Sequence, residues 1–258
     1  MVNNTFVSGR RDEKMTSNRY LAVIGDLVDS KKIIGEQRKQ VQSRLEETLD
    51  SVNQLYREFI VSDFLITLGD EFQGLLRPNA PLYEIISCVI EGINAESYKE
   101  KFVEVRFGIG LGRILTDIKK VALGMDGPAF HYARKALDIS HNRKGHAIIF
   151  KAEPSTIIEQ DETTINTLLG LLAVSRKFWI HKANRFNEIL PYLRENKNQR
   201  DIASLLNCTQ PLVSKLVASA YWSEIKELES TVDALIKTCL DTPKARGNRK
   251  KNSYASPV

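Results

Sequence analysis

The stretch Leu21-Ala22-Val23-Ile24-Gly25-Asp26-Leu27-Val28-Asp29-Ser30 decides the fold class of this 258-residue chain when it is read with Phe64-Leu65-Ile66-Thr67-Leu68-Gly69-Asp70-Glu71-Phe72-Gln73-Gly74-Leu75-Leu76. Leu21 to Ile24 is short, aliphatic and partly β-branched, the pattern of a buried strand. An acid directly after such a run is costly to bury unless it is paired, hydrogen-bonded or metal-bound. In the second stretch, Phe64 to Leu68 and Phe72 to Leu76 flank Gly69-Asp70-Glu71, which reads as a tight hairpin with acids at its tip. Taken alone, each acid reads as a turn cap, since Gly-Asp is common turn chemistry. Taken together, Asp26 and Asp70 can reach one hard divalent cation whose remaining ligands are substrate phosphates.

Working outward, Glu36 to Tyr56 carries apolar residues at Val41, Leu45, Leu49 and Val52, a helical spacing. Pro81 opens a second helix through Leu82, Ile85, Ile86, Val89 and Ile93. Val103 to Leu111 alternates as a further strand. The order strand, helix, strand, strand, helix, strand predicts an α/β (α+β) ferredoxin-like palm domain. Gly127-Pro128 begins another helix, and His146 to Phe150 reads as an added strand. Ile157 to Leu193 has a helical pattern with an apolar stripe of Leu168, Leu171, Leu172, Phe178, Trp179 and Phe186, suited either to core packing or to a homodimer interface.

From Asn198 the chain changes character. Gln199 to Leu206 and Gln210 to Ala218 are two short helices around the turn Asn207-Cys208-Thr209, the pattern of a helix-turn-helix. Ala203 is small where the helices cross, and Asn207 tolerates the left-handed turn conformation. Ile202, Leu206, Val213 and Leu216 supply the shared core, leaving Thr209, Gln210, Ser214 and Lys215 as the expected DNA-binding residues. An αα-hairpin used only for packing has the same pattern. The expected division is a disordered arm at 1–19, a palm domain at 20–152, connecting helices at 153–197, an all-α helix-turn-helix domain at 198–240, and a basic disordered tail at 241–258.

Composition excludes several classes. The chain is 42% hydrophobic and 27% charged with a net charge of +5, as in ordinary soluble proteins. No apolar run approaches the roughly 18 residues of a membrane span, so a cytoplasmic location with no membrane partner is expected. Cys88, Cys208 and Cys239 are odd in number and far apart, unlike a disulfide framework or a zinc site. The four histidines show no zinc or nucleophile spacing, and only His131 lies in a segment suited to a pocket. Lys244, Arg246, Arg249, Lys250 and Lys251 crowd the tail, where they can touch phosphates without sequence preference.

Asp26-Leu27-Val28-Asp29-Ser30 resembles the first metal strand of class III nucleotidyl cyclases, and Gly69-Asp70 the second. Gly69-Asp70-Glu71-Phe72 is also similar to the signature of GGDEF diguanylate cyclases, which share the palm fold. Val105-Arg106-Phe107-Gly108-Ile109-Gly110-Leu111-Gly112 and Gly127-Pro128-Ala129-Phe130-His131-Tyr132-Ala133-Arg134 resemble the segments that follow in family order. As a whole, with its terminal helix-turn-helix, the chain looks most like the SatD-like family.

The resemblance implies Mg²⁺ or Mn²⁺ held by Asp26, Asp70 and the Leu27 carbonyl. Asp29 and Glu71 would be supporting or alternative acids, and Ser30, Lys31 and Lys32 would lie near phosphate. It further implies a nucleoside triphosphate or other nucleotide as ligand, a homodimer, and His131 with Arg134 or Lys135 in the catalytic positions. The chain departs from the cyclase pattern at Ile66, where a base-recognising lysine is expected, and from the GGDEF pattern at Leu68. The function these residues predict is Mg-dependent nucleotide binding coupled to DNA, with a cyclic or dinucleotide product in an enzyme; the alternative is a non-catalytic nucleotide-responsive regulator.

Overall fold

A computed structural model describes residues 19–94, 102–142, 147–154, 156–182 and 184–241. The expected arm before Arg19, the basic tail beyond Asp241 and His146 lie outside them, as do the side chains of Phe178 and Trp179.

Five strands form one mixed sheet in the order β2-β3-β1-β4-β5. These are β1 (Arg19–Leu27), β2 (Ile60–Leu68), β3 (Glu71–Leu76), β4 (Val105–Arg113) and β5 (Ile148–Ala152). β1 pairs antiparallel with both β3 and β4, and β3 pairs antiparallel with β2. That is the neighbour order of a ferredoxin-like unit. β5 is added parallel to β4.

The period-two alternation of β1 sends Leu21, Val23 and Leu27 into one apolar cluster and Ala22 and Ile24 into another. On the first face lie α1 (Gly35–Leu55) and α2 (Leu82–Ile93). On the second lies α3 (Pro128–Asn142), through Ala129, Phe130, Ala133 and Leu137. β4 meets α3 with Gly108 and Gly110, where a Cβ would fall 2.1 Å from the Ala133 carbonyl oxygen and 2.0 Å from that of Ala129. The helix therefore rests on the strand's backbone.

The single helical run expected from Ile157 is two helices, α4 (Glu159–Lys182) and α5 (Asn184–Arg194). On the expected stripe Leu172 and Phe186 are buried, whereas Leu171 is 50% exposed. α6 (Gln199–Leu205), α7 (Gln210–Ser219) and α8 (Trp222–Asp241) complete the chain. Ile202, Val213, Val232 and Ile236 belong to the same continuous core as Leu21 and Phe107.

Where α2 meets α5 and α8, that core encloses charge. Arg194 makes two 2.9 Å hydrogen bonds to the Glu229 carboxylate and lies 4.8 Å over the Trp222 ring. Arg176 of α4 reaches Glu91 at 3.2 Å, and Lys226 reaches Glu84 at 2.8 Å. The Asp233 carboxylate accepts the Leu82 N–H at 3.1 Å, satisfying one of the free donors at the start of α2.

Candidate nucleotide and metal site

Asp26 is not the residue that follows the first strand, as the sequence suggested, but its penultimate member. Arg19 and Asp26 extend the apolar run into the ladder, where Asp26 stands opposite Glu71 on β3 and Arg106 on β4. Register partners share a face, so Glu71, Asp26 and Arg106 form a row across three strands, on the α3 side of the sheet. Above the row α3 presents Arg134 and His141, seven positions apart and hence on one face of the helix.

The hairpin brings Asp70 to the same end. Its two-residue loop is Gly69-Asp70, and Gly69 takes φ 65°, a value that glycine adopts without strain. The Asp26 and Asp70 carboxyls are close enough for each to act on the other's charge. Burial, and next the Asp70 carboxylate, push Asp26 up to about 6, against the pull of His141 and Arg106. Two acids forced together in a half-buried corner are what a divalent cation relieves, so the donor set fits such an ion. Among the described residues no group of three or more His, Cys, Asp and Glu side chains is arranged to hold a metal, so phosphate or backbone oxygens would have to complete the shell.

The other acids are engaged. Glu71 receives a bidentate pair from Arg134 at 2.5 and 2.6 Å and a 3.2 Å hydrogen bond from Thr67, and Arg134 first of all holds its carboxyl below the usual range. Asp29, at φ 57°, starts a 3-10 turn over Ser30–Lys32 and pairs with Lys32 at 2.8 Å. Lys31 is exposed. The following helix, α1, starts at Gly35, and its N-cap residue Ile34 makes no side-chain capping hydrogen bond. Leu27, Ser30, Arg38, Gln42, Gly69 and Asp70 line a cleft between the turn, α1 and the hairpin.

The residues assigned to catalysis separate. Arg134 is at the row but paired with Glu71, His131 points its Nε2 to Asp126 Oδ1 at 2.7 Å, and Lys135 is exposed. Arg106 and His141 lie beside Asp26 and were not singled out by the motifs. Both had a signal: Arg106 alternates with Gly108 and Gly110 on one strand face, and His141 follows Arg134 by two helical turns.

The sequence profile of the SatD family matches residues 20–226. The chain belongs to the SatD family. Among solved structures, this SatD-family protein is similar to two of a bacterial light-regulated adenylyl cyclase, at 11% and 12% identity with TM-scores of 0.37 and 0.36. Each match covers 51% of this chain and 42% of that one, so it spans less than half of the cyclase's length. It is also similar to the guanylate cyclase domain of RhGC from Catenaria anguillulae in complex with GTP, at 13% identity and a TM-score of 0.33, over 46% of this chain and 72% of that one. No match was found among curated proteins. No helix among the described residues is long and apolar enough to cross a membrane.

In the SatD-family protein the raised Asp26 carboxyl has a consequence for stability. The folded chain binds this proton more tightly than the unfolded chain, so this group's contribution rises as pH falls from about 6 toward the ordinary carboxylate value of 3.8. A carboxyl-carbon NMR titration of the metal-free protein should place Asp26 near 6. In Asp70→Asn it should fall only part of the way back, because burial, the larger cause, remains.

At the other end of the SatD-family chain, α6 is capped by the Asn198 side chain, which accepts the N–H groups of Arg200 and Asp201 at 3.0 Å. The connection to α7 passes through Asn207 at φ 47°. Ile202 and Val213 are buried, Ala203 is 5% exposed, and Thr209, Gln210 and Lys215 are exposed with Ser214 half-buried. The Gln210 amide donates to Gln199 at 2.9 Å, joining the two helices on their outer side.

Proposed function

We propose that this SatD-family protein binds a nucleoside triphosphate through a divalent ion, Mg²⁺ or Mn²⁺, shared by Asp26 and Asp70, and that the bound nucleotide sets the DNA affinity of the α6–α7 pair in a homodimer. The observation that carries the reading is the convergence of the two carboxyls, one from β1 and one from the β2–β3 turn, with Asp26 pushed up to about 6 by burial and by its neighbour. The Leu27 carbonyl is the candidate backbone ligand. Ser30, Lys31, Lys32 and the uncapped start of α1 would take the phosphates. When bound, the ion would neutralise phosphate charge and make a ribose hydroxyl or water more acidic. The units proposed are a palm at 20–152, connecting helices at 153–197 and a helix-turn-helix at 198–240.

Between binding and turnover, the geometry favours binding. A cyclase-like reaction needs a free cation over the transition state, whereas Arg134 is committed to Glu71 and His131 to Asp126, which leaves only the exposed Lys135 of the three expected residues for that role. The regulator reading therefore leads, and nucleotidyl transfer is the second.

A thermal-shift panel of nucleoside triphosphates should show stabilisation by one of them only when Mg²⁺ is present, and Asp26→Ala and Asp70→Ala should each abolish it. Stabilisation that survives both substitutions overturns the site. Pyrophosphate release under the same conditions would reverse the order of the two readings. For the helix pair, Lys215→Ala and Gln210→Ala should each weaken binding to a preferred duplex by about 1–3 kcal/mol if they touch base edges. Fluorescence anisotropy across a panel of sequences measures this, and equal weakening on every sequence would assign both to phosphate.

A further inference from the structure

His141 and Arg106 meet Asp26 in an order that fixes where a proton sits. Arg106 Nη1 is 3.2 Å from His141 Nδ1. A guanidinium carries only donors, so Nδ1 must accept, and the proton of the neutral imidazole is on Nε2. That nitrogen lies 3.3 Å from Asp26 Oδ2, and Arg106 Nη1 lies 3.8 Å from the same oxygen. One carboxylate oxygen thus has 3.3 Å away an imidazole nitrogen whose proton is placed by an arginine, a contact that closes to a hydrogen bond with a small shift of the ring and so resembles the way metal-ligating side chains are oriented from behind.

We infer that His141 is a positioning residue for divalent-ion binding: its Nε2–H, with the tautomer set by Arg106, holds Oδ2 of Asp26 so that the other oxygen is presented to an ion shared with Asp70. The inference rests on the ion site proposed above and adds to it His141, which lies outside the cyclase-like segments of the chain, and Arg106, to which those segments assigned no role. Neither touches the ion. Their effect is on the direction of a ligand, and it should appear in ion affinity with no nucleotide present.

The test is an electron paramagnetic resonance titration of the full-length protein with Mn²⁺ alone, with denaturation midpoints measured alongside. Asp70→Asn should weaken Mn²⁺ binding by at least about tenfold, as loss of a ligand requires. His141→Leu should weaken it by about 10–100-fold, the usual cost of losing such a supporting hydrogen bond. His141→Gln, which keeps an N–H at similar reach, should restore most of the affinity, and the shorter His141→Asn should not. Arg106→Met should weaken binding when His141 is present and add little in His141→Leu, the non-additivity of residues acting through one another.

The outcomes separate the two claims. If Asp70→Asn leaves Mn²⁺ binding intact, the ion site itself is wrong. If Asp70→Asn abolishes binding while His141→Leu does not change it, the site stands and the positioning role falls. Should His141→Leu fail to fold, the comparison of Gln with Asn decides, and equal affinities for those two overturn the inference.

Discussion

Arg194→Met should lower the free energy of unfolding by about 3–5 kcal/mol, because it leaves a buried carboxylate without its partner. The Arg194 side chain is 6% exposed and that of Glu229 4%, so neither charge can turn to water. After the substitution Glu229 keeps Lys226, at 3.0 Å, as its ion-pair partner among the described residues, and the Trp222 ring loses the guanidinium above it. Urea denaturation with a two-state fit measures the loss. The matching replacement of both members, Arg194→Met with Glu229→Leu, should recover much of it, since a well-packed apolar pair of similar volume is often as stable as a buried ion pair. If the single and double variants are equally unstable, packing and not the orphaned charge is the cause.

Gly110→Ala should also be strongly destabilising, at or above the top of the roughly 1–3 kcal/mol range for overpacked cores. The added methyl would stand 2.0 Å from the Ala129 carbonyl oxygen and 2.3 Å from the Ala133 N, both backbone atoms of α3. No rotamer relieves a clash with backbone, so α3 must lift from the sheet. The lift would carry Arg134 and His141 away from Glu71 and Asp26, and the Asp26 titration should change with it. Gly170 on α4 is the control: nothing lies within 4 Å of its added Cβ, and there alanine should stabilise by about 0.8–1 kcal/mol through helix propensity alone. Thermal denaturation of the two variants should move in opposite directions.

The contrast between these glycines shows what was legible in the chain. The hairpin was, because Gly69-Asp70 between two apolar runs leaves little choice of turn, and β2 ends at Leu68 where its pattern stops. The short helices around Asn207 were readable for the same reason, a left-handed turn residue between periodic segments. The extent of β1 was not. Arg19 and Asp26 are polar, and only their ladder partners Arg113, Glu71 and Arg106 make a strand of them.

The neighbourhood of Asp26 was legible in half. Asp70 announces itself by its turn, whereas Arg106 and His141 depend on the β1–β4 register and on the closeness of α3, which the glycines of β4 permit. Glu91, Arg176, Arg194 and Glu229 were invisible as a group. Each looks like a charge on a solvated helix face, and only the meeting of four helices buries them.

The hydrogen bond from Leu82 to Asp233 spans 151 positions of sequence. During synthesis α2 is therefore complete in sequence long before the group that closes its first turn has been added, and the same delay applies to the partners that Glu84 and Glu91 find on later helices. A nascent chain carrying only the sheet leaves those carboxylates in water and part of its apolar face bare. Emergence of α8, not completion of the sheet, is the moment from which this part of the protein can finish folding.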